Sequence, residues 1–123
     1  MIKDTKDFKA KNFGCNHCYA NQTKQELIDT IQELKDATKC DIFIIGAYRC
    51  KIHHKNIGDA KTLYSKGLAV DIRMADSKGS LLTGQQMIDI IDQFDILDDA
   101  KVVIHNTFIG IELGGDYERD YQI

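Results

Sequence analysis

The residues of this sequence that are best suited to chemistry are cysteines and histidines, which bind metal ions. Two residues separate Cys15 from Cys18, and two residues separate Cys50 from His53. This spacing is typical of a structural zinc knuckle, in which four ligands hold one ion and the ion adds folding free energy. The same residues are compatible with a disulfide from Cys15 or Cys18 to Cys50, or with free buried thiols. All three interpretations stay open on the sequence.

A second candidate site centres on Asp71, an acidic residue inside a strand-like pattern. Residues 68–74 alternate between two faces, one with Leu68, Val70 and Ile72 and the other with Ala69, Asp71 and Arg73. The preceding residues, 47–66, form a long stretch rich in Lys, His, Gly and Asp. A loop of that length inside a small domain is usually functional or partly helical. We therefore expect the chemistry in this loop and beside Asp71.

Two helices are predicted from N-terminal caps followed by apolar residues at helical spacing. The first begins at the capping box Thr23-Lys24-Gln25-Glu26 and runs to about Ala37. The second follows a cap at Thr83 and runs to about Gln93 or Phe94. Their apolar faces are expected to cover a sheet.

Four strands complete the predicted elements. The continuous apolar run in Asp41–Gly46 indicates a buried strand, and residues 68–74 form the next one. Residues 101–105 and 107–113 are close enough to form a hairpin. One face of its second strand carries Phe108, Gly110 and Glu112. The predicted fold class is α+β, with a small, mainly antiparallel sheet flanked by helices.

The chain of 123 residues, 43% hydrophobic and 28% charged, is predicted to be one globular domain. Residues 1–22 lack a helical or strand period, so we expect an irregular arm held to the core by Phe8 and Phe13. Residues 23–113 would form the core. Residues 114–123 form a polar tail that is expected to fray.

The net charge and the hydropathy of the chain argue against two classes of partner, nucleic acids and membranes. The 16 Lys and Arg against 19 Asp and Glu give a net charge of -3 without a basic stripe, so we expect no nucleic-acid partner. No apolar run approaches the roughly 20 residues of a membrane span, so we expect no membrane partner. The opening residues lack the apolar region of a secretory signal, which predicts a protein that is cytoplasmic as synthesised.

Two segments carry a resemblance to a known family. Ala47-Tyr48-Arg49-Cys50, followed by His53 and Gly58, is similar to the pattern S-G-Y-R-C-x-x-H-N. The segment from Thr62 to Asp71 is similar to S-x-H-x-x-G-x-A-x-D. With the order of elements from about Phe8 to Leu113, these segments resemble the zinc D-alanyl-D-alanine carboxypeptidases. That family includes phage endolysin peptidases and vancomycin-resistance dipeptidases.

The chain departs from this family at the residues that hold the metal. The resemblance makes Asp71 a zinc ligand, but Tyr64 stands where the family has its first zinc His. The family's last strand reads F-V-H-V-D, and Gly110 stands at its His. Thr107, Phe108 and Ile109, just before that position, cannot supply the family's general base. A catalytic zinc needs three protein ligands, so we expect no metal at the family's catalytic site and infer a pseudoenzyme.

The residues that remain define a vestigial pocket: Arg49, Tyr64, Asp71, Gly110 and Glu112. The resemblance implies that Arg49 binds substrate, and its planar fork suits a peptide carboxylate. Alternatively, Arg49 pairs with Asp71 or Glu112 and satisfies charges left without a metal. The two interpretations have about equal weight.

The leading functional interpretation is therefore non-catalytic. The domain would bind a cell-wall peptide, such as a peptidoglycan stem peptide, or would be a structural component that binds an assembly protein. The resemblance points to a phage or prophage source, and so to a virion-associated protein or one released by lysis.

The alternative is an active zinc D,D- or L,D-peptidase that cleaves peptidoglycan cross-link peptides through a rearranged metal site. His53 and His54 in the loop and His105 on the hairpin would then join Asp71 as ligands. Neighbouring His residues rarely converge on one tetrahedral ion, which makes this the second interpretation.

Overall fold

The structure is a computed structural model that describes residues 2–14, 21, 23–47, 66–114 and 116–122. In chain order, its elements are a 3-10 turn at Ala10–Phe13, α1 at Gln25–Thr38, β1 at Asp41–Gly46, β2 at Ala69–Ala75, α2 at Gly84–Ile91, β3 at Lys101–Ile104, β4 at Ile109–Glu112 and β5 at Glu118–Tyr121. No helix in these ranges is both long enough and apolar enough to cross a membrane.

The strands form one sheet with the order β1-β2-β4-β3-β5. Neighbouring strands are antiparallel except β3 and β5, which are parallel. The α+β fold with a mainly antiparallel sheet was predicted correctly, and the parallel pair makes the sheet mixed.

One face of the sheet carries the hydrophobic core. The strand residues on this face that are 0% exposed are Val70, Ile72, Met74, Val102, Ile104, Ile109 and Ile111. The helices bury their apolar sides in the same cluster through Leu27, Ile28, Ile31, Leu34, Met87, Ile88 and Ile91. Both helices therefore cover one face, and we call the other the open face only because neither described helix lies on it; Ala69, Val103 and Glu112 on that face are buried.

The described part of the arm is held to the core by its aromatic residues. Phe8 and Phe13 are buried in the core cluster, and their rings meet edge to face with centroids 6.5 Å apart. The buried Thr23 hydroxyl donates a hydrogen bond to the carbonyl oxygen of Phe13 at 3.1 Å. This bond ties the arm to the start of α1.

The same bond overturns the capping box predicted at Thr23. The N-cap of α1 is Lys24, which makes no side-chain capping bond, and the helix begins at Gln25. The Thr23 hydroxyl donates to a buried carbonyl oxygen of the arm instead, because leaving a buried polar group unpaired lowers the stability of the fold. The box at Thr83 is present: Thr83 Oγ1 accepts from the Gln86 amide, and Gln86 Oε1 accepts from the Thr83 amide.

Two other predictions about the elements were wrong. The strand β1 is not fully buried: Phe43 is 50% exposed and Ile45 is 46% exposed, because β1 lies at the edge of the described sheet. Residues beyond Gly114 do not all fray, because Glu118–Tyr121 forms β5. In addition, α2 ends at Ile91, somewhat earlier than predicted.

Candidate functional site

The open face of the sheet carries a row of residues centred on Asp71. Asp71 is paired with Gly46 of β1 on one side and with Gly110 of β4 on the other. Residues paired across a sheet project to the same face, and neither glycine has a side chain. A Cβ atom added at Gly46 would meet no atom within 4 Å in the described part of the chain. We call Gly46, Asp71 and Gly110 the glycine row, a strip of open face whose only side chain is an aspartate.

An irregularity in β1 places Gly46 in this row. Ile44 is paired with Ile72 on the core face, and the register then shifts so that Gly46 is paired with Asp71. The extra residue is Ile45, whose side chain is half exposed. A bulge of this kind changes which residue shares a face with its neighbour. Alternation along β1 alone would have placed Ile45 beside Asp71.

Glu112 flanks the glycine row on one side. It follows Gly110 by two residues and is paired with Ala69 of β2 and Lys101 of β3. Its side chain therefore projects to the same face as Asp71. Glu112 is only 5% exposed, and neither Glu112 nor Asp71 is without an interaction partner. Carboxylates reach this degree of burial when they are paired.

Arg73 and Phe43 flank the glycine row on the other side. Arg73 follows Asp71 by two residues and is paired with Phe43 of β1. Its Nε donates a hydrogen bond of 3.1 Å to the carbonyl oxygen of Thr107. In the same loop, the rings of His105 and Phe108 are stacked with centroids 4.2 Å apart. The hairpin loop thus fixes the guanidinium of Arg73.

The structure brings together three of the five residues predicted for the vestigial pocket. Asp71 and Gly110 are directly paired, and Glu112 lies two residues further along the same face. Arg49 and Tyr64 lie outside the described residues.

The cysteine site is not tested by the structure. Its predicted members Cys15, Cys18, Cys50 and His53 lie outside the described residues, and so does His54. The zinc knuckle and the disulfide therefore both remain predictions. His105 is described, and it lies in the β3–β4 loop, where it stacks on Phe108.

Sequence reasoning missed Arg73, Phe43 and Gly46 as members of the site. The alternation of residues 68–74 already put Arg73 on the face of Asp71, so that signal was available. Phe43 was assigned to a buried strand, and its exposure depends on the position of β1 at the sheet edge. Gly46 belongs to the site only because of the register shift in β1, and no local sequence pattern predicts that shift.

The described part of the site does not fit a catalytic zinc of the family's type. Gly110, directly beside Asp71, offers no donor atom where the resemblance implies the third ligand. The sequence places Tyr64 at the position of the first ligand. Within the described ranges, no three His, Cys, Asp or Glu side chains are grouped closely enough to hold a metal ion. We therefore derive no metal-dependent step for this site.

Comparison with known proteins gives one match. A family model described as Peptidase M15 matches residues 5–111, a span that includes most of the arm, both helices and the whole glycine row. No curated protein and no solved structure matches the chain.

Proposed function

Because the chain belongs to the peptidase M15 family, the zinc D-alanyl-D-alanine carboxypeptidase-like family, we propose that it is a member that binds its ligand without hydrolysing it. The observation that carries the proposal is the pairing of Asp71 with Gly110 on adjacent strands. This register puts the retained ligand and the missing ligand side by side. The position next to Asp71 therefore has a hydrogen atom in place of a metal-binding side chain.

The loss of two ligands removes more than affinity for the ion. A bound zinc lowers the pKa of its water and polarises the scissile carbonyl. One remaining carboxylate does not provide a three-ligand site. The residues before Gly110 also lack a general base. Hydrolysis would thus need a different set of groups.

The proposed ligand is the carboxylate end of a cell-wall-type peptide. The family resemblance gives Arg49 the role of binding substrate, and an Arg–carboxylate pair needs no metal. The glycine row supports this proposal at Gly46, where an added Cβ atom would meet no described atom within 4 Å, so that a ligand backbone has room close to the sheet. A structural role in an assembly, bound to a partner protein, is the competing outcome of the tests below.

The catalytic part of the proposal is tested with diacetyl-L-Lys-D-Ala-D-Ala and zinc-supplemented protein. We expect no release of D-alanine from the wild type. The matched variant carries Tyr64→His and Gly110→His, which restores both missing ligand types, and we expect it to gain about one zinc per chain. Release of D-alanine by the wild type that stops on addition of a chelator would refute the proposal and favour the rearranged metal site.

The binding part is tested by titrating the same peptide into 15N-labelled protein. We expect shifts of the amide resonances of Asp71, Gly110 and Glu112, and loss of these shifts in Arg49→Ala. Lys78→Ala is the matched control, because it removes a positive charge from an exposed turn outside the site. If the wild type shows no shifts, the peptide-binding proposal fails and the structural role is left.

A further inference from the structure

We draw no further inference here: the strongest candidate, the apolar surface patch of Phe43 and Ile45 on the edge strand β1, rests on exposure alone, because nothing in the described part of the structure shows what covers it.

Discussion

The two faces of the sheet differ in the kind of residues that they carry. On the core face, the side chains of Val70 and Ile72 from β2 and Ile109 and Ile111 from β4 are 0% exposed and pack against both helices. On the open face of the same two strands, Asp71 is paired with Gly110, and the family resemblance implies that Gly110 stands where other members have their last zinc His. Adjacent residues of one strand thus belong to two different surfaces, one packed in the core and one that carries the candidate site.

This contrast separates the requirements of the fold from those of the reaction. The core face must bury apolar side chains in close packing, and changes of even one methylene there affect stability. A ligand position on the open face contributes little to packing, so its loss does not destroy the fold. The match of the family model over residues 5–111, together with the incomplete ligand set that we propose, is what this separation would produce. The predictions below test whether the two faces are as independent as they look.

The largest effect is expected on the core face, in Ile72→Ala. Ile72 is 0% exposed in the second strand of the sheet, so truncation leaves a cavity that the surrounding side chains fill only partly. We expect a loss of about 4 kcal/mol in the free energy of unfolding, measured by urea denaturation. Phe43→Ala, on the open face, should cost less than about 1 kcal/mol. Equal losses in the two variants would show that the open face is also part of the packed core.

A glycine of α2 and a glycine of the open face should respond differently to one added methyl group. A Cβ atom at Gly84, the first residue of α2, would overlap the His105 carbonyl oxygen and crowd Ile104. Gly84→Ala should therefore cost about 2.5 kcal/mol, because α2 must move away from the β3–β4 loop. A Cβ atom at Gly46 meets no described atom within 4 Å, so Gly46→Ala should change stability by less than about 0.5 kcal/mol. Thermal or urea unfolding of both variants checks the difference.

The edge strand β5 offers a smaller effect that depends on one cation. The Arg119 side chain is 7% exposed, and its Nη2 lies 2.8 Å from Asp92 Oδ1. The guanidinium also donates to the carbonyl oxygens of Leu97 and Ala100. Arg119→Ala should cost about 1.5 kcal/mol by leaving these acceptors unpaired.

Hydrogen exchange adds a local measurement to this prediction. The amides of Glu118–Tyr121 should lose protection in Arg119→Ala before the rest of the sheet does. Lys101→Ala is the control, because Lys101 pairs at 3.5 Å with the exposed Glu118 and such pairs contribute less than about 1 kcal/mol. If both variants unfold β5 equally, the anchoring of the strand does not depend on Arg119.

The predictable parts of the fold were those fixed by local patterns. The alternation of residues 68–74 and the capping box at Thr83 gave β2 and the start of α2, since each depends on neighbours in sequence. Thr23 has the same local pattern as Thr83, yet its hydroxyl bonds to Phe13, ten residues away. A choice between a local and a distant partner depends on tertiary contacts that spacing does not contain.

The candidate site was predictable in composition and less so in geometry. Asp71, Gly110 and Glu112 were assigned to one pocket through the family resemblance, and the structure places them together. The position of Gly46 beside Asp71 depends on a register shift in β1, and the exposure of Phe43 depends on the sheet order. Both are properties of strand pairing, which residues on one strand do not determine.

The smallest expected effect is the most direct test of the contrast between the faces. We expect metal-replete wild type and Asp71→Ala to hold the same amount of zinc per chain by elemental analysis. Asp71 is the one family ligand retained, and Gly110 beside it provides no second donor. Cys15→Ser reports separately on the structural zinc proposed for the cysteine pairs. Zinc lost only in Cys15→Ser would place the ion in that structural site and leave the open face without a metal.

The opposite result would change how the open face is understood. If Asp71→Ala alone loses zinc, the site must have recruited other donors, and His53, His54 and His105 are the candidates. Each would then be replaced by Ala, and zinc content and D-alanine release would be measured together. Loss of both on removal of one histidine would identify a rearranged catalytic centre. Both faces would then have kept their function. They would differ only in how far the residues that provide that function can change.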